Sequence, residues 1–137
     1  TTLFRSLFAL YHRLVTGTSV ETSVQVDPIR VQVRQEKIGN ERTQSVSPVD
    51  VVTTTGNGGI AHAIVNRHLT EDAEIAISDL GPAPTRSARV HLLTNPDPLV
   101  ANTFDAPDAI RPIVRDLVWT GSVRVPAHSV AIVERMA

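Results

Sequence analysis

Carboxylates, histidines and a glycine cluster are the groups here that could carry chemistry. Glu71, Asp72 and Glu74 crowd a turn that enters a strand-like stretch, and Asp105 and Asp108 lie in a segment rich in Asn, Asp and Pro. Two carboxylates flanking a glycosidic bond can hydrolyse it, but spacing along a chain does not set their separation in space. The plainer reading is a solvated turn and a loop whose Asp side chains bond backbone amides. The histidines are His12, His62, His68, His91 and His128, and none pairs with another at HxH or HxxxH spacing. A zinc site needs three or four converging ligands, so surface or packing roles are expected and no metal is. There is no GxSxG elbow. Cysteine is absent, which removes disulfides, thiolate metal sites and a cysteine nucleophile. Gly56-Asn57-Gly58-Gly59 matches neither a phosphate loop nor a dinucleotide fingerprint, so no cofactor is expected. Flanked by alternating stretches, it reads as a hairpin turn.

Aromatic residues are scarce: one Trp, one Tyr and three Phe. A sandwich that binds polysaccharide usually offers a row of exposed rings. Phe4, Phe8 and Tyr11 fall on a helical stripe, which leaves only Phe104 and Trp119. That is a poor stacking platform.

The elements that must position these groups follow from periodicity. From Thr2 to Val15 the apolar residues Leu3, Phe4, Leu7, Phe8, Tyr11, Leu14 and Val15 lie on one face of a 3.6-residue period. Gly17 supplies a stop. The stripe is wide for one small domain, so part of it is expected to face a partner. After Gly17 the period becomes two. Strands are expected at 20–26, 29–34, 49–55, 59–66, 73–78, 86–93, 113–119, 122–125 and 129–134. Residues 35–47 are polar and read as a long loop, Gly81 to Pro84 as a turn, and 95–112 as an ordered irregular loop. The pattern predicts a mainly β fold: an antiparallel sandwich of about nine strands preceded by one amphipathic helix.

Composition narrows the class. The 137 residues amount to one domain. Thirteen Lys+Arg against 14 Asp+Glu give a net charge of −1, which argues against an electrostatically driven nucleic-acid binder. A hydrophobic fraction of 42% is enough for a core. No apolar run is long enough for a transmembrane helix, and Arg5, His12 and Arg13 interrupt the first stretch, unlike a signal peptide. A cytoplasmic protein without membrane partners is therefore expected. The chain opens on Thr1 rather than Met and is expected to be a piece of a longer protein.

Several stretches resemble the C-terminal region of the glycoside hydrolase family 51 α-L-arabinofuranosidases. Asn102-Thr-Phe-Asp-Ala-Pro-Asp-Ala-Ile-Arg-Pro112 resembles the family's NTFDxPDxVxP loop, with Ile110 for the usual Val. Ala63-Ile-Val-Asn-Arg-His-Leu69 resembles its strand-ending xxVNRxL, and Val125 to Val133 its final LPPxSVxVL strand. Leu3 to Val26 resembles the passage from the last barrel helix into the sandwich. Order and spacing agree over nearly the whole chain, and least at 34–48.

The resemblance implies a jelly-roll sandwich at 18–137, a terminal helix at 1–17 from the end of a catalytic (β/α)₈ barrel, and homo-oligomers in the full enzyme. Such enzymes are retaining exo-hydrolases of terminal α-L-arabinofuranosyl units, with two catalytic Glu on barrel strands and no cofactor. No barrel strand is present here, so neither Glu carries over. Asn40-Glu41 mimics the family's Asn-Glu dyad but lies after the last barrel helix. The expected role is therefore a non-catalytic domain that supports the barrel. Its structural or interface residues are Leu3, Phe4, Leu7, Phe8, Tyr11, Asn66, Arg67, Asn102, Thr103, Phe104, Asp105 and Pro107. The rivals are a binding module for arabinose-containing glycans and, more weakly, a small enzyme using Glu41 or Asp105 with Asp108.

Overall fold

The computed structural model describes residues 2–34, 39, 41–56, 58–78 and 87–136, with the side chains of 2–5 and 136 outside that description. Helix α1 runs Thr2–Leu14, and the strands are β1 Thr18–Val20, β2 Ile29–Arg34, β3 Glu41–Val46, β4 Val49–Gly56 and β5 Gly59–Asn66. They continue as β6 Ala73–Ala76, β7 Ser87–Leu93, β8 Ile113–Val118, β9 Ser122–Val125 and β10 Ser129–Met136.

Six strands form one antiparallel sheet in the order β1-β4-β5-β10-β7-β8. The last strand of the chain is thus central, paired along its length with β5 from Ser129↔Asn66 to Met136↔Gly59. β4 and β5 form the expected hairpin, with Gly56 opposite Gly59 and Gly58 at φ 77°. The pairs β2–β3 and β6–β9 are the other sheets among the described residues.

Side-chain alternation along β10 divides the core in two. Ala131 and Val133 point to the face covered by Val123 and Val125 of β9, with Ala73 and Ile75 of β6 packed alongside, which makes the sandwich. Ile132 points to the opposite face and meets Leu10 of α1, Ala63 and Leu93. Strands covered on both sides need no polar face, hence the nearly unbroken apolar run from Val130 to Val133. At one end of the sandwich core the Arg135 guanidinium lies 4.9 Å from the centre of the buried Trp119 ring, a cation–π geometry.

α1 ends where its sequence says it should. Val15 donates back to Tyr11 O at 2.9 Å, His12 and Arg13 sit in the last turn where cations suit the helix dipole, and Gly17 takes φ 92°. No side chain fits there: a Cβ on Gly17 would lie 2.2 Å from the Thr55 carbonyl oxygen.

Two expectations need correction. The strand expected at 20–26 is only Thr18–Val20, because beyond Val20 the chain leaves β4 and residues 21–28 pair with no strand among the described residues. Alternation marks a segment suited to a sheet, but a strand also needs a partner. The loop expected at 35–47 contains β3, which pairs with β2 from Ile29↔Val46 to Arg34↔Glu41. Five of β3's six residues are exposed, so it carries no apolar alternation to read. Ten strands result among the described residues. Gly81 to Pro84, Asn40 and residues 35–38 lie outside that description.

Candidate functional site

β5 ends in a buried polar node. Asn66, 2% exposed, donates its side-chain amide towards the carbonyls of Glu71 at 2.9 Å, Val125 at 3.1 Å and Pro126 at 3.0 Å. Its Oδ1 accepts from the His68 amide at 3.0 Å. One side chain thus joins the β5 exit, the turn into β6 and the β9–β10 connection. Arg67 is exposed, and its guanidinium pairs with the Asp50 carboxylate across the β4–β5 hairpin. Asp72 accepts from the Ala127 amide at 3.0 Å and from Arg124 at 2.8 Å. The Ala127 bond first, and then the Arg124 bond, hold its carboxyl below the usual carboxylate range.

A group with a depressed folded-state pKa adds stability above its unfolded value, near 3.9 for Asp, and loses it as pH falls through the folded value. Asp72→Asn is therefore expected to flatten the acid limb of unfolding below about pH 4. Urea melts of both forms from neutral pH downward check this, and identical acid limbs refute it.

The loop after β7 is built from its own side chains. Asn102 closes it like a backbone pair, donating Nδ2 to Ile110 O at 2.8 Å and accepting Ile110 N at 2.6 Å. Thr103 and Ala106 close an inner turn through Thr103 N to Ala106 O at 3.2 Å and Ala106 N to Thr103 Oγ1 at 3.0 Å. Phe104 and Asp105 form its tip, and Phe104 is 100% exposed; Pro107 follows, also exposed. At the base, His128 sits at φ 42° with its ring nitrogens 3.0 Å from Leu69 O and 2.6 Å from Asn95 O. Asn102→Ala is expected to destabilise the chain by about 1–3 kcal/mol, since two partly buried backbone groups lose their partner. A thermal melt equal to the parent's would refute it.

α1 divides its stripe. Leu10 is buried against the sheet, and Leu7, Tyr11 and Leu14 pack beside it. Burial, and then the Asp50 charge, push the Tyr11 hydroxyl above its ordinary pKa. Phe8 stays 67% exposed. Leu3 and Phe4 have side chains outside the described set.

Of the carboxylates weighed from sequence, Glu71, Asp72 and Glu74 line one cleft together. Glu41, Asp105 and Asp108 are exposed on a ribbon and a loop. Two histidines are buried in pairs: His62 Nδ1 lies 3.0 Å from Thr53 Oγ1, and His91 Nε2 lies 2.6 Å from Glu134 Oε2. Among the described residues no group of His, Asp and Glu is placed to hold a metal ion, and no helix is long and apolar enough to cross a membrane.

A cleft of about 1030 Å³ separates residues 20–29 from β6. Its lining includes Val51, Thr53, His62, Asn66, Glu21, Asp27 and Glu74, and no Phe, Tyr or Trp among the described residues.

Comparison with known proteins decides the family. The alpha-L-arabinofuranosidase C-terminal domain matches residues 2–129. This chain belongs to that family. The domain is similar in fold to a family 51 α-L-arabinofuranosidase from Bifidobacterium longum, with a TM-score of 0.71, 22% identity, and 95% of this chain and 24% of that one covered. It is also similar to the thermostable GH51 enzyme from Thermotoga petrophila, with a TM-score of 0.70, 16% identity, and 85% and 25% covered. For the GH51 arabinofuranosidase from Xanthomonas axonopodis pv. citri the TM-score is 0.59 at 23% identity, with 77% and 21% covered. At these identities the likeness is one of fold. The chain spans about a quarter of the length of these structures. Among curated proteins none matches it.

His128, Asp72 and the triple carbonyl contact of Asn66 were not singled out by sequence reasoning as a connected set. Nothing local signals that His128 and Asp72 meet residues dozens of positions away.

Proposed function

We propose that this domain is the non-catalytic sandwich of an exo-acting α-L-arabinofuranosidase that removes terminal α-L-arabinofuranosyl units from arabinose-containing glycans. The family match over residues 2–129 carries the reading. In it, residues 1–17 belong to the outer ring of a catalytic (β/α)₈ barrel, residues 18–137 brace that barrel, and the full enzyme is a homo-oligomer. The split stripe of α1 supports it, since Leu10 meets the sandwich while Phe8 remains outward.

The test is turnover of an aryl α-L-arabinofuranoside by this chain and by the full-length parent. The parent is expected to be active and this chain inactive. Turnover by the chain that vanishes in Glu41→Gln overturns the reading.

The cleft beside β6 favours a second reading, a binding module for arabinose-containing glycans, because several carboxylates and two histidines, His62 and His68, line it. A lining without Phe, Tyr or Trp gives sugars little stacking surface, so polar contacts would have to hold them. Isothermal titration with arabino-oligosaccharides separates the two: saturable heat selects the binding module.

A further inference from the structure

We infer that the tip of the 95–112 loop is an anchor, with Phe104 inserting into an apolar pocket, rimmed by Lys or Arg, on the catalytic domain of the parent protein; this rests on the proposed function. The loop is preorganised. Asn95 Oδ1 takes the Asp97 amide and Asp97 Oδ1 takes the Leu99 amide, both at 2.9 Å, before the Asn102–Ile110 pair and the Thr103–Ala106 turn close the tip. Turn centres ordinarily take Gly, Pro, Asn, Asp or Ser. A fully exposed Phe there, in a chain with so few aromatic rings, is suited to insertion with little ordering cost. Leu99, 89% exposed, adds a second apolar group in the same loop.

The loop also faces the right way. Ile110 packs into the cluster that holds α1 to the sheet, together with Leu7, Leu10 and Tyr11. The loop base and α1 therefore share one side of the domain, and Phe8 of α1 is itself largely exposed. The matched structures are about four times as long as the portion covered here, so a large domain lies beyond these residues in the relatives. Asp97, Asp105 and Asp108 are all exposed around the tip, against Arg111 alone. That excess of negative charge selects a cationic rim.

Hydroxyl-radical footprinting of the full-length parent, read by mass spectrometry, tests this. Leu69, 68% exposed on the turn after β5, serves as the internal reference. Phe104 is expected to be protected relative to Leu69 at every protein concentration. Phe104→Ala is expected to raise the undocked fraction about thirtyfold, as truncating a hot-spot aromatic does, and so to increase labelling of Leu99. Phe104 labelled as freely as Leu69 overturns the proposal. Protection that disappears when the parent is diluted to monomers overturns it too, and assigns the loop to a second copy instead. Turnover of the aryl substrate judges the functional reading by itself, so the two failures are distinguishable.

Discussion

Asn66→Ala is expected to destabilise this domain by about 3–5 kcal/mol, since it leaves several buried backbone groups unpaired at once. The carbonyls of Glu71, Val125 and Pro126 lose their donor, and the His68 amide loses its acceptor. These groups belong to three segments that meet at one end of the sandwich, so the loss spreads across that end. Asn66→Asp sharpens the test. A carboxylate there cannot donate and faces carbonyl oxygens, so the folded state favours its protonated form. An acid with a raised folded-state pKa destabilises increasingly as pH climbs from its unfolded value, near 3.9, through the folded one. Asn66→Asp is therefore expected to be worst near neutral pH and to recover part of its stability towards about pH 4. Urea midpoints measured against pH check both variants. An Asn66→Ala midpoint equal to that of the parent chain would refute the node.

Gly17→Ala is expected to cost about 2–4 kcal/mol, combining an unfavourable left-handed backbone with a steric conflict. The φ of 92° disfavours any Cβ, and the nearest obstacle is the Thr55 carbonyl, part of the β1–β4 ladder. Relief requires α1 or β4 to move. The damage should therefore appear as faster hydrogen exchange in α1 amides and at Thr53 to Thr55, together with a lower melting temperature. Unchanged exchange at those amides would show that the junction yields freely, and would refute the account of the close approach.

Local pattern carried far in this chain. The strand over Gly59–Asn66 and the one over Ser122–Val125 were legible to the residue, because apolar content and flanking turn residues bound them on both sides. The irregular 95–112 loop was legible from its Asn, Asp and Pro content. β3 was not: Glu41 to Gln44 are polar, and their pairing with β2 rests on backbone bonds that leave no mark on side-chain type. Residues 21–26 misled in the opposite sense, since Val24 and Val26 continue the alternation of Val20 past the point where the chain pairs with any described strand.

By itself the sequence determined the class of the molecule: one amphipathic helix, a Gly17 stop, a mainly β chain without cysteine or metal spacing, and motifs in the order of one family. Periodicity, turn chemistry and ligand spacing are local properties, written within a few residues of where they act. Only the tertiary structure decided which residues meet. It set β10 between β5 and β7, placed Asn66 against carbonyls at 125 and 126, joined Asp72 to Arg124, and put Ile110 under α1. The physical reason is that such contacts depend on sheet order and register. Those are settled by burying both faces of the central strands at once, a requirement of the whole chain that no single segment encodes.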